Sequence, residues 1–121
     1  MDKPLGIILY GYDESAASVV QSVCAKAAGC EVALIGASEA DGSTVKQILA
    51  PSFEPSFAER ETKILMFINF AGEQIQAVLG AFPDDVLSRP IFCGLTNDNI
   101  NWQMGQLVEH LQEEQARWHN G

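Results

Sequence analysis

Four continuous apolar runs constrain this chain more than any other feature: "LGIILY" at 5–10, "CEVALIG" at 30–36, "ILMFINF" at 64–70 and "PIFCGL" at 90–95. Each is rich in β-branched and aromatic residues and bounded by turn formers, so each reads as a strand. None alternates apolar with polar, and a strand that is apolar on both sides must be covered on both faces. Between the runs the period changes. Ala16, Val19, Val20, Val23, Cys24 and Ala27 follow at helical steps, and so do Ile75, Val78, Leu79 and Phe82. Met104, Leu107, Val108 and Leu111 make a third such stripe, in a final helix expected from Trp102 to about Trp118.

The predicted architecture is therefore α/β, with a four-stranded, mostly parallel sheet in a three-layer sandwich of alternating helices. Strand, polar turn, helix and strand occur in 5–36 and again in 64–95. That echo leaves open a two-layer ferredoxin-like alternative. A length of 121 residues suits a single α/β domain over 1–121.

Local signals place the boundaries. Asp13 has the chemistry of a helix cap, Gly29 of a helix stop, and Ser43 is positioned to cap a short helix carrying Val45, Ile48 and Leu49. Pro51 and Pro83 end helices. The stretch "PSFEPSFAERETK" at 51–63 is irregular, with one helical turn allowed by the capping-box spacing of Ser56 and Glu59.

Charge and composition restrict the partners. Seven Lys plus Arg against sixteen Asp plus Glu give a formal net charge of −9, which repels phosphate backbones, so nucleic acid is not an expected partner. "LGIILY" is too short for a membrane span or a secretory leader, so no membrane association is expected. Three cysteines without C-x-x-C spacing suggest reduced thiols in a cytoplasmic protein.

The most polar junction is "LTNDNINW" at 95–102, between the fourth run and the last helix. Thr96, Asn99 and Trp102 form T-x-x-N-x-x-W after a hydrophobic strand and before an acidic amphipathic helix. In this the chain resembles a small bacterial family, domain of unknown function 3783. The likeness extends to "ILMFINF" and the helix after it. More loosely, "IILYGYDES" resembles the strand and Y-G-F-D start of full-length members. Members often carry Pro and Thr where this chain has Asn97 and Asp98. The family has no assigned activity, so the resemblance implies a fold and no reaction.

Two readings of the polar junction compete. As a folding device, Thr96, Asn99 and Asn101 tie down the turn while Trp102 wedges the helix against the core. As a ligand or partner site, the same amides face outward beside Gly11, Tyr12 and Asp13, because a parallel sheet gathers its loops at the strand carboxyl edge. "YGYDES" has neither G-x-G-x-x-G nor G-x-x-x-x-G-K-[ST], so no nucleotide cofactor is expected. Cys24 and Cys93 read as core residues, and Cys30 as the thiol to test for reactivity. His110, Glu113 and Glu114 share one helical turn, which is commoner on a solvated face than at a metal. No hydrolase motif is present.

The leading expectation is a non-enzymatic module that binds a protein or small-molecule partner. Two others stand beside it. One is an enzyme with a divergent site using Asp13 and Asp98, and the other is a self-associating protein using exposed Phe53, Phe57 and Trp118.

Overall fold

A computed structural model describes residues 4–120, with side chains for 4–117. The strands are β1 (Leu5–Tyr10), β2 (Val32–Gly36), β3 (Ile64–Ile68) and β4 (Ile91–Gly94). The helices are α1 (Glu14–Ala28), the short α2 (Val45–Ile48), α3 (Gly72–Ala81) and α4 (Met104–Asn120), with a 3-10 turn at Asn99–Asn101. The α/β class and the four-stranded sheet are as the sequence predicts.

The sheet is mixed, however, where a mostly parallel one was expected. Its order is β2-β1-β3-β4, with β1–β2 and β3–β4 parallel and the central β1–β3 pair antiparallel. Fully apolar strands report burial on both faces, not direction, and burial is what they received. On one face Ile7, Leu9, Leu65 and Phe67 meet Val20 and Cys24 of α1 and Val78 of α3. On the other, Ile8, Tyr10, Ile64 and Met66 meet Ile48 of α2 and Met104, Leu107 and Leu111 of α4. Three layers result. Each buried Leu, Ile or Met contributes roughly 1.5–3 kcal/mol relative to exposure.

The echo in the sequence is a two-fold repeat in space. Leu5 pairs with Val32 and Ile64 with Ile91, at the same separation along the chain. Gly11 follows β1 at φ 93° and Asn69 follows β3 at φ 65°, both left-handed. Asp13 then caps α1 and Ala71 stands in the same place before α3. The helices on the other face begin against one another. Thr44 and Gln103 form an antiparallel bridge, the Val45 amide donates to the Trp102 carbonyl (2.9 Å), and the Met104 amide donates to the Ser43 carbonyl (2.8 Å). First-turn amides that a helix leaves unpaired are thus satisfied by the opposite half.

Three local expectations need correction. Thr44 caps α2, not Ser43: its hydroxyl accepts from the Gln47 amide while the Gln47 side chain accepts from the Thr44 amide. Residues 55–60 form no helical turn, because Ser56 is held in a parallel bridge with Ala37 beside β2. Phe53 and Phe57 are half-buried against the two cores, so they are not the exposed self-association contacts expected, and the Trp118 side chain lies outside the described residues. Among the described residues no helix is long and apolar enough to cross a membrane.

Candidate functional site

Mixed pairing separates the two loops that a parallel sheet would have joined. Tyr10, at the end of β1, lies opposite Ile64 at the start of β3, whereas Gly6 lies opposite Ile68. The loop after β1 is therefore at one end of the sheet, and the loop after β4 leaves from the other. A composite site of Gly11–Asp13 with Thr96–Trp102 is not assembled, and Asp13 and Asp98 are not brought together as a carboxylate pair.

Each member of the first loop has a structural task. The Gly11 amide donates to Ser38 Oγ (3.0 Å), and a Cβ on Gly11 would run into the Thr62 carbonyl. Tyr12 is buried, with its hydroxyl donating to the Ser88 carbonyl (2.6 Å), and burial raises its pKa above the ordinary tyrosine range. Asp13 accepts from the Ala16 amide (2.9 Å) as the cap of α1.

The second loop is built around one amide. Asn99, 8% exposed, donates from Nδ2 to the Gly94 carbonyl (2.9 Å) and accepts at Oδ1 from the Thr96 amide (2.8 Å). Thr96 Oγ1 accepts in return from the Asn99 amide (3.0 Å). The Trp102 amide donates to the Asn99 carbonyl (3.0 Å), its own carbonyl anchors α2, and its half-buried indole meets the His110 ring edge-on at 5.0 Å. Thr, Asn and Trp at this spacing therefore close a strand end, cap the turn and lock the two halves together. Asn101 is exposed and contributes only a backbone bond to Asp98.

The same segment carries a likeness to a known family. Residues 63–117 match the model of the "Domain of unknown function (DUF3783)". Over that segment, a little under half of its length, the chain is similar to the DUF3783 family. No curated protein and no solved structure matches it.

Within the DUF3783 segment, β4 is an edge strand. The Ile91 and Leu95 amides donate inward to the Lys63 and Phe67 carbonyls, so by the alternation of a ladder Phe92 and Gly94 present their backbone groups outward. Gly94 is exposed, and nothing lies within 4 Å of where its Cβ would be. A cleft of about 310 Å³ follows the strand toward α4, bordered by Gly94, Thr96, Asp98, Trp102, His110 and Glu114. His110 Nε2 sits 3.1 Å from Glu114 Oε1 there. A second cleft, of about 690 Å³, opens at the strand's other end beside Lys63, Arg89, Phe92 and Gln112. Arg89 lies over the Phe92 ring (5.0 Å) while pairing with Asp84 (2.9 Å).

Among the described residues no three His, Cys, Asp or Glu side chains are placed to hold a metal ion. Cys93 borders the cleft, but burial, aided by nearby Glu114, pushes its thiol up to about 12 and leaves it a poor nucleophile at neutral pH. The opposite edge, β2, was not singled out in the sequence. It is covered by Ser56 and Phe57, and the available signal was the pair of prolines in "PSFEPSF", which favours extended chain.

Proposed function

We propose that this protein is a non-enzymatic interaction module of the cytoplasm that docks a partner protein along the β4 edge, with Trp102 and His110 as the aromatic border of the contact. The observation that carries this reading is the outward-facing backbone of β4 between two clefts, on the edge of the sheet that among the described residues no strand pairs with and only the Asn99 side chain caps. Such an edge is a template for strand addition, with backbone bonds supplying affinity and flanking clefts supplying selectivity. Free cysteines suit a reducing compartment.

The test is photo-crosslinking from a benzophenone side chain placed at Asp98 in cell extract, followed by identification of captured partners and reconstitution with each one purified. A specific partner whose binding falls at least about tenfold with Trp102→Ala supports the reading. Partners that bind wild type and Trp102→Ala equally well, or capture no different from a probe placed at Lys46 on α2, defeat it.

A further inference from the structure

The two-fold repeat lets the occupied edge be read as a template for the open one. Leu9 pairs with Gly36 and Phe67 with Gly94, and Leu9 and Phe67 each stand two residues before the left-handed residue of their half. Gly36 and Gly94 are thus counterparts. At Gly36 the edge is covered from within the chain. The Ser56 amide donates to the Gly36 carbonyl (2.9 Å), and the Ser56 carbonyl accepts from the Ser38 amide (3.2 Å). Phe57 occupies the space where a Cβ on Gly36 would sit, and Arg60 Nε donates to the Ser38 carbonyl (3.1 Å).

At Gly94 the same two bonds are made by a side chain. Asn99 Nδ2 stands in for the Ser56 N–H on the Gly94 carbonyl, and Asn99 Oδ1 stands in for the Ser56 C=O on the Thr96 amide. A carboxamide has the donor and acceptor of a peptide unit, so it plugs the position a strand residue would take. Nothing plays the part of Phe57, and the face over Gly94 is vacant. Half-buried Phe70, Ile75 and Phe92 belong to that same side of the sheet. Where Arg60 reaches in the first half, the second half has acidic Asp98 and Glu114 beside Thr96.

We infer that β4 takes an extended segment of a partner protein in parallel register, displacing the Asn99 amide, with a small residue pairing at Gly94 and Thr96. An aromatic residue follows it onto Gly94, and a basic residue lies a few positions beyond, facing Asp98 and Glu114. The chain's own Ser56-Phe57 and Arg60 are the pattern for such a segment. The inference rests on the proposed interaction role and adds the chemistry of the ligand. Opposite charge draws a basic segment to this acidic protein and fixes its direction on the edge.

The probe is a labelled synthetic peptide of residues 54–60 carrying Glu54→Gln and Glu59→Gln, so that Arg60 leaves it basic, titrated into the full chain and mapped by amide NMR shifts. Saturable binding that moves Phe92–Thr96 is expected. Gly94→Val should weaken it at least about tenfold, or about 1.4 kcal/mol, at an unchanged melting temperature, because Gly94 has no left-handed φ and its surroundings are open. Asn99→Ala removes the plug and should bind more tightly, and a peptide with Ala for Phe should lose binding. No saturable binding to wild type or Asn99→Ala, weaker binding by Asn99→Ala, or shifts confined to Leu34–Ser38 would each overturn the inference. Partner capture that depends on Trp102 is measured separately, so failure of this ligand class is distinguishable from failure of the interaction role.

Discussion

Asn99 carries more of the local structure than any other residue of the polar junction. Its side chain makes two of the bonds that end β4, and its own amide is held by Thr96. Asn99→Ala leaves the part-buried Gly94 carbonyl and Thr96 amide to find water, and a loss of about 1 kcal/mol in urea unfolding is expected. Asn99→Asp should be no better, since it retains the acceptor for Thr96 but sets a carboxylate oxygen against the Gly94 carbonyl. Thr96→Val removes one cap and should cost about 1 kcal/mol. If Asn99→Ala unfolds at the wild-type midpoint, the amide is not a structural tie. The cysteines make a second prediction at this scale. Burial raises Cys24 to about 11 and, with Glu114, Cys93 to about 12, from an ordinary value of 9.0. A raised folded pKa means the folded state holds its protons longer than the unfolded chain. Stability is thus complete below about pH 9 and falls as pH climbs toward 11–12. Melting temperature followed from pH 7 to 11 should decline, and the decline should flatten in a Cys24→Ala, Cys93→Ala protein. At pH 7.5, a maleimide should label exposed Cys30 well before the other two.

At the level of elements, the strands and the helical stripes are where the sequence is most legible, because period reports burial directly. Val78, Phe82, Met104, Leu107 and Leu111 are buried as their spacing requires, whereas Val19 of the expected α1 stripe is exposed and Ala17 is buried instead. Strand direction is not legible in the same way: Ile7 and Phe67 look alike whether their strands run together or oppose. The candidate site inherited that gap. Thr96, Asn99 and Trp102 do form one constellation, whereas Gly11, Tyr12 and Asp13 joined them only on the assumption that all the strands point one way. Ser56 shows a different limit, since capping-box spacing fits a helix start and yet its backbone is claimed by Gly36 and Ser38, a tertiary choice that local pattern does not contain. The separation of the loops is itself testable. Asp13→Ala removes the cap of α1 and should lower stability by about 1 kcal/mol. Because the first loop and the β4 cleft lie at different ends of the sheet, the same change should leave partner or peptide binding at Gly94 unaltered in isothermal titration. A binding defect in Asp13→Ala at temperatures where it is fully folded would restore the composite site.

On the scale of the whole molecule, the family model and the sheet have different boundaries. The DUF3783 match runs from Lys63 to Arg117 and so contains β3, α3, β4 and most of α4, one half of the two-fold repeat. That half is not closed. Its strand β3 uses its second edge, Ile64–Ile68, to pair antiparallel with β1, and α4 begins on backbone bonds to Asp41 and Ser43 of the other half. Cutting at Lys63 would expose a fully apolar strand edge and leave the first amides of α4 unpaired, and a two-stranded sheet is at best marginal in water. The same register that joins β1 to β3 can join β3 to a second β3, because the two halves present equivalent strands across the two-fold axis. Residues 63–117 produced alone should therefore show no folded monomer. They should be unfolded by circular dichroism when dilute and gain strand and helix signal together as sedimentation reports a dimer. In the full chain, by contrast, β1 and β3 amides should exchange with one common opening free energy, as strands of a single cooperative sheet do. A folded monomer of 63–117, or separate exchange free energies for β1 and β3, would mean that the halves are independent units joined in sequence, and the antiparallel seam would then not be what holds this protein together.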